Sequence, residues 1–348
     1  GGILITVFGI LFSHNILALM NTKDELIDGA VLYLRIYLLG MPALGLYNFG
    51  NAVLSAAGDT KRPLYYLAFA GVVNVILNLF FVIVCHLGVA GVALASMISQ
   101  FISAFLILRA LLTGKEKYCL RLSEIRFDKR KAVGILQIGI PSAFQYSLFA
   151  FANLFVQSSV NSFDHVLVEG NSAAANADPL VYDMMAAFYT ACSSFIAQNF
   201  GARKKKRILQ TYLICLFYSF ITSLVLGVGI YLARYPFLYL FTSDKAVVEA
   251  GITRLSIMAL SYSASAFMDA SIAASRGLGK TAVPTFVVVM GSCVFRIIWI
   301  YTIFAYFHTI QSLYILYVFS WGITAIAENI YFFHVYRHTL TGKTESHL

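Results

Sequence analysis

The 348-residue sequence predicts an all-α integral membrane protein whose two halves are copies of one another. Composition gives the first reason. Hydrophobic residues make up 59% of the chain and charged residues only 12%, with a mean hydropathy of +0.78, a balance that suits a protein solvated mostly by lipid. The second reason is a series of about ten apolar stretches, each able to cross a ~30 Å hydrocarbon layer, which takes roughly 20 residues of helix. The third is a repeat: Leu17 to Pro63 is written again, ungapped and 221 residues later, as Leu238 to Pro284. Ten of the 47 paired positions are identical, and both copies close on Gly-x-Thr-x-x-Pro, at Gly58, Thr60 and Pro63 and at Gly279, Thr281 and Pro284. Duplicated membrane halves point to a transporter.

Backbone groups in lipid must find partners within their own segment, so each stretch is read as a helix. In order the helices run over about 1–20, 29–57, 63–86, 88–113, 132–162, 172–199, 207–234, 246–277, 282–307 and 311–337. The chain opens on Gly-Gly-Ile-Leu-Ile with no charged leader, which does not fit a signal peptide. In 29–57, Pro42 removes a backbone hydrogen bond and predicts a kink. Its repeat partner is Ser263, so the bend is expected in one copy only. Pro141 predicts a second kink near the start of 132–162. In 246–277, Ala264, Ala266, Ala270, Ala273 and Ala274 predict close helix contact.

The net charge of +9 is placed for topology and not for nucleic acid. With Asp59 to Pro63 on the inside and strict alternation from there, the inner connections hold 19 of the 25 Lys and Arg, eight of them between Arg109 and Lys131 and five between Arg203 and Arg207. That is the positive-inside pattern, and it puts the carboxyl terminus in the cytoplasm of a multi-pass plasma-membrane protein. The five cysteines are scattered without a C-x-x-C, and the seven histidines show no metal spacing. No metal and no cofactor is expected beyond a coupling ion.

The repeat also serves as a ruler. Six helices follow the basic linker but only four precede it, and residue 1 pairs with Thr222, inside a helix. A full protein of six plus six helices is therefore expected, with about two and a half lying before Gly1. On this reading residues 1–113 are a partial first bundle, 114–131 a cytoplasmic linker, 132–337 the second bundle and 338–348 a cytoplasmic tail.

Three motifs carry a resemblance. Gly58-Asp59-Thr60-Lys61-Arg62-Pro63 between two helices resembles the connection of the fourth and fifth helices of the multidrug and toxin extrusion (MATE) family. Arg276-Gly277-Leu278-Gly279-Lys280-Thr281-Ala282-Val283-Pro284 is similar to that family's tenth-to-eleventh connection, and Gln198-Asn199-Phe200-Gly201-Ala202-Arg203 to the segment after its eighth helix. The resemblance covers essentially the whole chain. It implies two six-helix bundles exchanging inward Na⁺ or H⁺ for outward cationic or amphipathic drugs, by alternating access in a monomer. It also implies an acidic residue seven before the Arg-Gly, where Asp269 stands, and another on a first helix that this sequence does not contain.

Independently of the resemblance, charges inside the membrane cost several kcal/mol unless they meet partners or water. Asp269, Arg296 and Glu328 lie roughly 12, 18 and 13 Å from the cytoplasmic helix ends at 1.5 Å per residue. Two readings stand: Asp269 or Glu328 exchanges the coupling ion with Arg296 as the nearby opposite charge, or the three form a static pairing that fixes packing. In the first half Asn48 pairs with Asp269 in the repeat, and Asn48, Asn51, Asn74 and Asn78 sit at i, i+3 and i, i+4 spacing, as cavity residues or as interhelical hydrogen bonds. Gln145 and Asn153, eight apart, are placed on the same cleft. Asp183 is a cation ligand or an outer-vestibule residue. Asp178 and Glu169 fall near an external loop and receive no role.

Two other functions need a hearing. A flippase for lipid-linked oligosaccharide or cell-wall precursor fits the architecture, but the sequence offers only Arg296 and Arg35 for a pyrophosphate. A membrane-embedded enzyme would want a metal motif, a Ser/His/Asp set or a carboxylate pair at the interface, and the chain shows none.

Overall fold

The computed structural model of the chain describes residues 1–19, 24–114 and 119–339, and every regular element among them is helical. Its contacts divide it into two compact units, Gly1–Arg126 and Phe127–Leu348.

The first unit holds α1 (Gly2–Leu19), α2 (Asp24–Leu38), α3 (Met41–Ala56), α4 (Lys61–Leu79) and α5 (Gly88–Thr113). The stretch read as a single helix over 29–57 is two. Ile27–Leu38 and Met41–Ala56 meet at 44°, because Pro42 in the first turn of α3 supplies no N–H to continue α2. The break leaves room for one side chain: a Cβ on Gly40 would lie 2.0 Å from Gln100 Oε1 of α5. Ala43, Tyr47 and Leu54 of α3 and Ala104, Ile107 and Leu111 of α5 form this unit's core. Most of α4 faces outward with Leu64, Phe69, Val72 and Ile76, an exposure that lipid makes inexpensive.

The second unit holds α6 (Lys129–Val160), α7 (His165–Ala175), α8 (Ala177–Gly201), α9 (Lys205–Leu232), a short α10 (Arg234–Tyr239), α11 (Lys245–Gly277), α12 (Ala282–Phe307) and α13 (Ile310–His338). Asp128, Asp164 and Asp244 cap α6, α7 and α11 by accepting backbone N–H groups of their first turns. Pro141 lies inside α6, which runs on through it. The stretch expected at 172–199 starts instead at His165 and turns once at Asn176.

α11 is the axis of this unit and packs against α7, α8, α9 and α13. Small residues make that possible: Ala259, Ser265, Ala266, Ala270, Ser271 and Ala274 are buried along its length and let neighbouring backbones close in. α12 is not a regular α-helix. Val289–Val294 and Ile300–Phe304 are π-helical turns, and Arg296 sits on the α-helical segment between them.

Eight helices among the described residues are long and apolar enough to cross a membrane, and the α2–α3 pair is a ninth if it counts as one bent span. Gly2–Ala18 is apolar but shorter. Together they account for all ten stretches read from the sequence.

The repeat holds at the level of the backbone. Gly58 and Gly279 both adopt left-handed φ, +92° and +74°. In both copies the next residue closes the preceding helix in the same way, Asp59 N to Leu54 O and Lys280 N to Ser275 O. These are Schellman closures, and glycine is the residue that enters that φ without strain.

Candidate functional site

The second unit holds a partly open cavity of about 390 Å³ lined by α6, α7, α8, α11, α12 and α13. Its lining is aromatic and charged. Phe149, Tyr182, Tyr314, Tyr317 and Trp321 supply the flat surfaces, and Asp178, Arg254 and Arg296 the charges.

Arg296 is 1% exposed. Its Nη1 donates to Asn153 Oδ1 at 2.8 Å and its Nε to Ser320 Oγ at 3.3 Å. The guanidinium lies over the rings of Tyr317 and Phe149, 4.5 and 4.9 Å from their centroids. Ser320 is held in turn, donating to the Gly291 carbonyl in the π turn at 3.2 Å. The expected pairing of Arg296 with Asp269 or Glu328 is therefore corrected: among the described residues no carboxylate forms an ion pair with it. The π turns of α12 set the direction of the side chain, and periodicity of 3.6 residues does not foresee them.

Arg254 and Asp178 were both passed over by the sequence reading. Arg254 Nη2 meets Asp178 Oδ2 at 2.5 Å, and Nη1 donates to Asn171 Oδ1 at 2.6 Å. The Tyr262 hydroxyl donates to the other oxygen of Asp178. Asp178 falls in the first turn of α8, not in a loop. The one available signal was its place at a helix start, where acidic residues are favoured.

Asp269 and Glu328 are not among the residues that line the cavity. Glu328 on α13 is 0% exposed, and neither carboxylate oxygen has a hydrogen-bond partner. The charges that reach it are those of Arg276 and Asp269. Arg276 Nη2 donates to Gln145 Oε1 at 2.9 Å, and Thr285 Oγ1 donates to the same oxygen at 3.3 Å. The two residues placed on one cleft thus part company: Asn153 joins the cavity and Gln145 joins the Arg276 group. Asp183 is exposed on α8 and lines no part of the cavity.

Of the four asparagines singled out in the first unit, Asn74 makes a hydrogen bond between helices. Asn74 Nδ2 donates to Ser99 Oγ of α5 at 3.3 Å and Asn78 Nδ2 to Asn74 Oδ1 at 3.0 Å. Asn51 Oδ1 accepts from Ser55 at 3.1 Å on its own helix. Asn48 is exposed. Arg35 Nε donates to Ser13 Oγ at 2.9 Å.

Known proteins are similar to this chain in sequence and in fold. The chain is 33% identical over 201 residues to a probable multidrug resistance protein, YpnP, of Bacillus subtilis, which covers 58% of this chain and 44% of that protein. It is 28% identical over 270 residues to a second from the same organism, YoeA, covering 75% and 58%. The chain thus spans about half the length of these relatives. In three dimensions it is similar to a multidrug resistance MATE family transporter of the MOP superfamily in its outward-facing conformation, with a TM-score of 0.90, 21% identity and coverage of 97% and 76%. A sequence model of the MatE family matches residues 2–80 and 141–302, which is more than half of the chain and falls on both units. The chain belongs to the MatE family of multidrug and toxin extrusion transporters.

Proposed function

We propose that this chain works in secondary active export, moving amphipathic aromatic molecules out of the cell against an inward flow of Na⁺ or H⁺. The observation that carries this reading is Glu328, fully buried with two carboxylate oxygens that meet no donor. An ionised carboxylate in such a place costs several kcal/mol, and a bound proton or Na⁺ removes that cost. Asp269 on the neighbouring helix is the second carboxylate of the pair, and Arg276 the positive charge against which the ion competes. Loading and unloading of this group is the step that biases the second bundle between its two packings. The names of the relatives as multidrug resistance proteins support the small-molecule substrate.

The topology that goes with this reading puts the carboxyl terminus in the cytoplasm of the plasma membrane. Lys205 Nζ donates to the Arg337 carbonyl at 2.8 Å, so the basic run from Arg203 to Arg207 and the end of α13 share one face. The flippase reading loses ground on Arg254, which is occupied by Asp178 and Asn171 and leaves one unpaired guanidinium in the cavity, too few for a pyrophosphate clamp.

The test is ion-driven efflux of a fluorescent drug from everted vesicles. Glu328→Gln and Asp269→Asn are expected to abolish it at unchanged protein level. Unchanged Na⁺- or H⁺-driven efflux in both variants would sink the coupling role, and no change in accumulation of any dye would favour the flippase.

A further inference from the structure

The cavity of the second unit contains one positive charge, Arg296, that no carboxylate among the described residues pairs with. Arg296 is 1% exposed and lines the cavity. Its Nη1 and Nε are held by Asn153 and Ser320, and its Nη2 has no acceptor. The other charges of the lining cancel: Asp178 is engaged by Arg254 and by the Tyr262 hydroxyl. Phe149 and Tyr317 lie against the guanidinium and hold it in one plane, and Nη2 is the one nitrogen of its edge without a partner. Tyr182, Tyr314 and Trp321 add flat apolar walls. The volume of about 390 Å³ suits a small molecule.

We propose that this cavity binds a planar aromatic anion, with its carboxylate or phosphate accepting from Nη2 of Arg296 and its ring among Tyr182, Tyr314 and Trp321. A buried guanidinium without an anion is costly, and a charge-assisted hydrogen bond to a bound anion offsets that cost. A cation in the same space meets the field of Arg296, and the one carboxylate of the lining, Asp178, is already engaged by Arg254. The proposed ligand thus differs in charge from the cationic or amphipathic substrate that the family resemblance implies. As a statement about what is exported, this rests on the export reading; as a binding site it stands alone.

The experiment is equilibrium dialysis on the full chain purified in a neutral detergent, with two probes of one ring and opposite charge, 2-naphthoate and 2-naphthylmethylammonium. Naphthoate is expected to bind at least about tenfold more tightly, the scale of one hydrogen bond to a charged group. Arg296→Gln is expected to remove that preference, and Arg296→Lys, which keeps the charge without the fork, to retain most of it. A third probe, 2-naphthyl phosphate, separates the two anion chemistries by whichever binds more tightly. Equal or tighter binding of the ammonium to the unaltered chain overturns the proposal, whether or not the variants fold. Naphthoate binding that ignores Arg296→Gln overturns it as well. Either result leaves ion-driven efflux as a separate question.

Discussion

Arg254 of α11 and Asp178 of α8 form an ion pair at 2.5 Å inside the second unit, with the arginine 6% exposed. The pair joins two helices that are 76 residues apart in sequence and closes one side of the aromatic cavity. Removing one partner of such a pair strands the other.

Asp178→Ala is accordingly expected to destabilise the protein by about 3–5 kcal/mol, whereas the double change Asp178→Ala with Arg254→Met recovers most of that loss. Thermal unfolding in detergent reads both. A loss in the double variant equal to the sum of the losses in Asp178→Ala and Arg254→Met alone would show that the pair is not coupled.

Gly58→Ala and Gly279→Ala test the repeat at its most specific point. Neither added methyl meets a neighbour within 4 Å, so the cost comes only from the left-handed backbone, about 1–2 kcal/mol in each case. Matching losses are expected from the two variants. A clear loss in one and none in the other would mean that the two closures are not equivalent.

Gly291→Ala places a methyl 2.4 Å from Thr324 Oγ1, where α12 crosses α13. Overpacking there is expected to cost about 1–3 kcal/mol, and Thr324→Ala in the same chain should restore part of it. Thermal stability of the two variants checks this, and no rescue would place the strain elsewhere.

Glu328→Gln exchanges a buried group that can carry charge for a neutral one of the same shape. The melting temperature at neutral pH is expected to stay level or rise, in contrast to Asp178→Ala. A drop of several degrees would indicate that the carboxyl holds α13 in place and is not an ion-exchanging group.

Cysteine accessibility reports the topology. Cys85 follows α4 and is exposed, while Cys119 lies in the basic linker. A membrane-impermeant maleimide added to intact cells is expected to label Cys85 and spare Cys119. The reverse pattern would invert the orientation.

Much of the fold was legible because lipid simplifies the problem. Apolar length gave the spans, and the shared Gly-x-Thr-x-x-Pro gave the repeat, to which the structure adds the matching closures at Asp59 and Lys280. Pro42 announced the break that divides 29–57, since a missing N–H is a property of the residue itself. The site was read less well. Arg296, Asn153, Asp269 and Glu328 stood out as polar residues in apolar helices, but their partners did not. Asp178 receives no role in the sequence because it falls near an external loop, and Arg254 is not singled out.

The sequence by itself determined the class, the duplication and the residues that are costly to bury, since each depends on local chemistry or on spacing along the chain. Only the tertiary structure decided who meets whom. The two π turns of α12 turn Arg296 toward Asn153 and Ser320 instead of a carboxylate. The packing of α8 on α11 brings Asp178 to Arg254. Contacts between residues 24 to 143 positions apart depend on helix rotation and crossing, which the chain fixes through packing of all its neighbours at once and not through any segment alone.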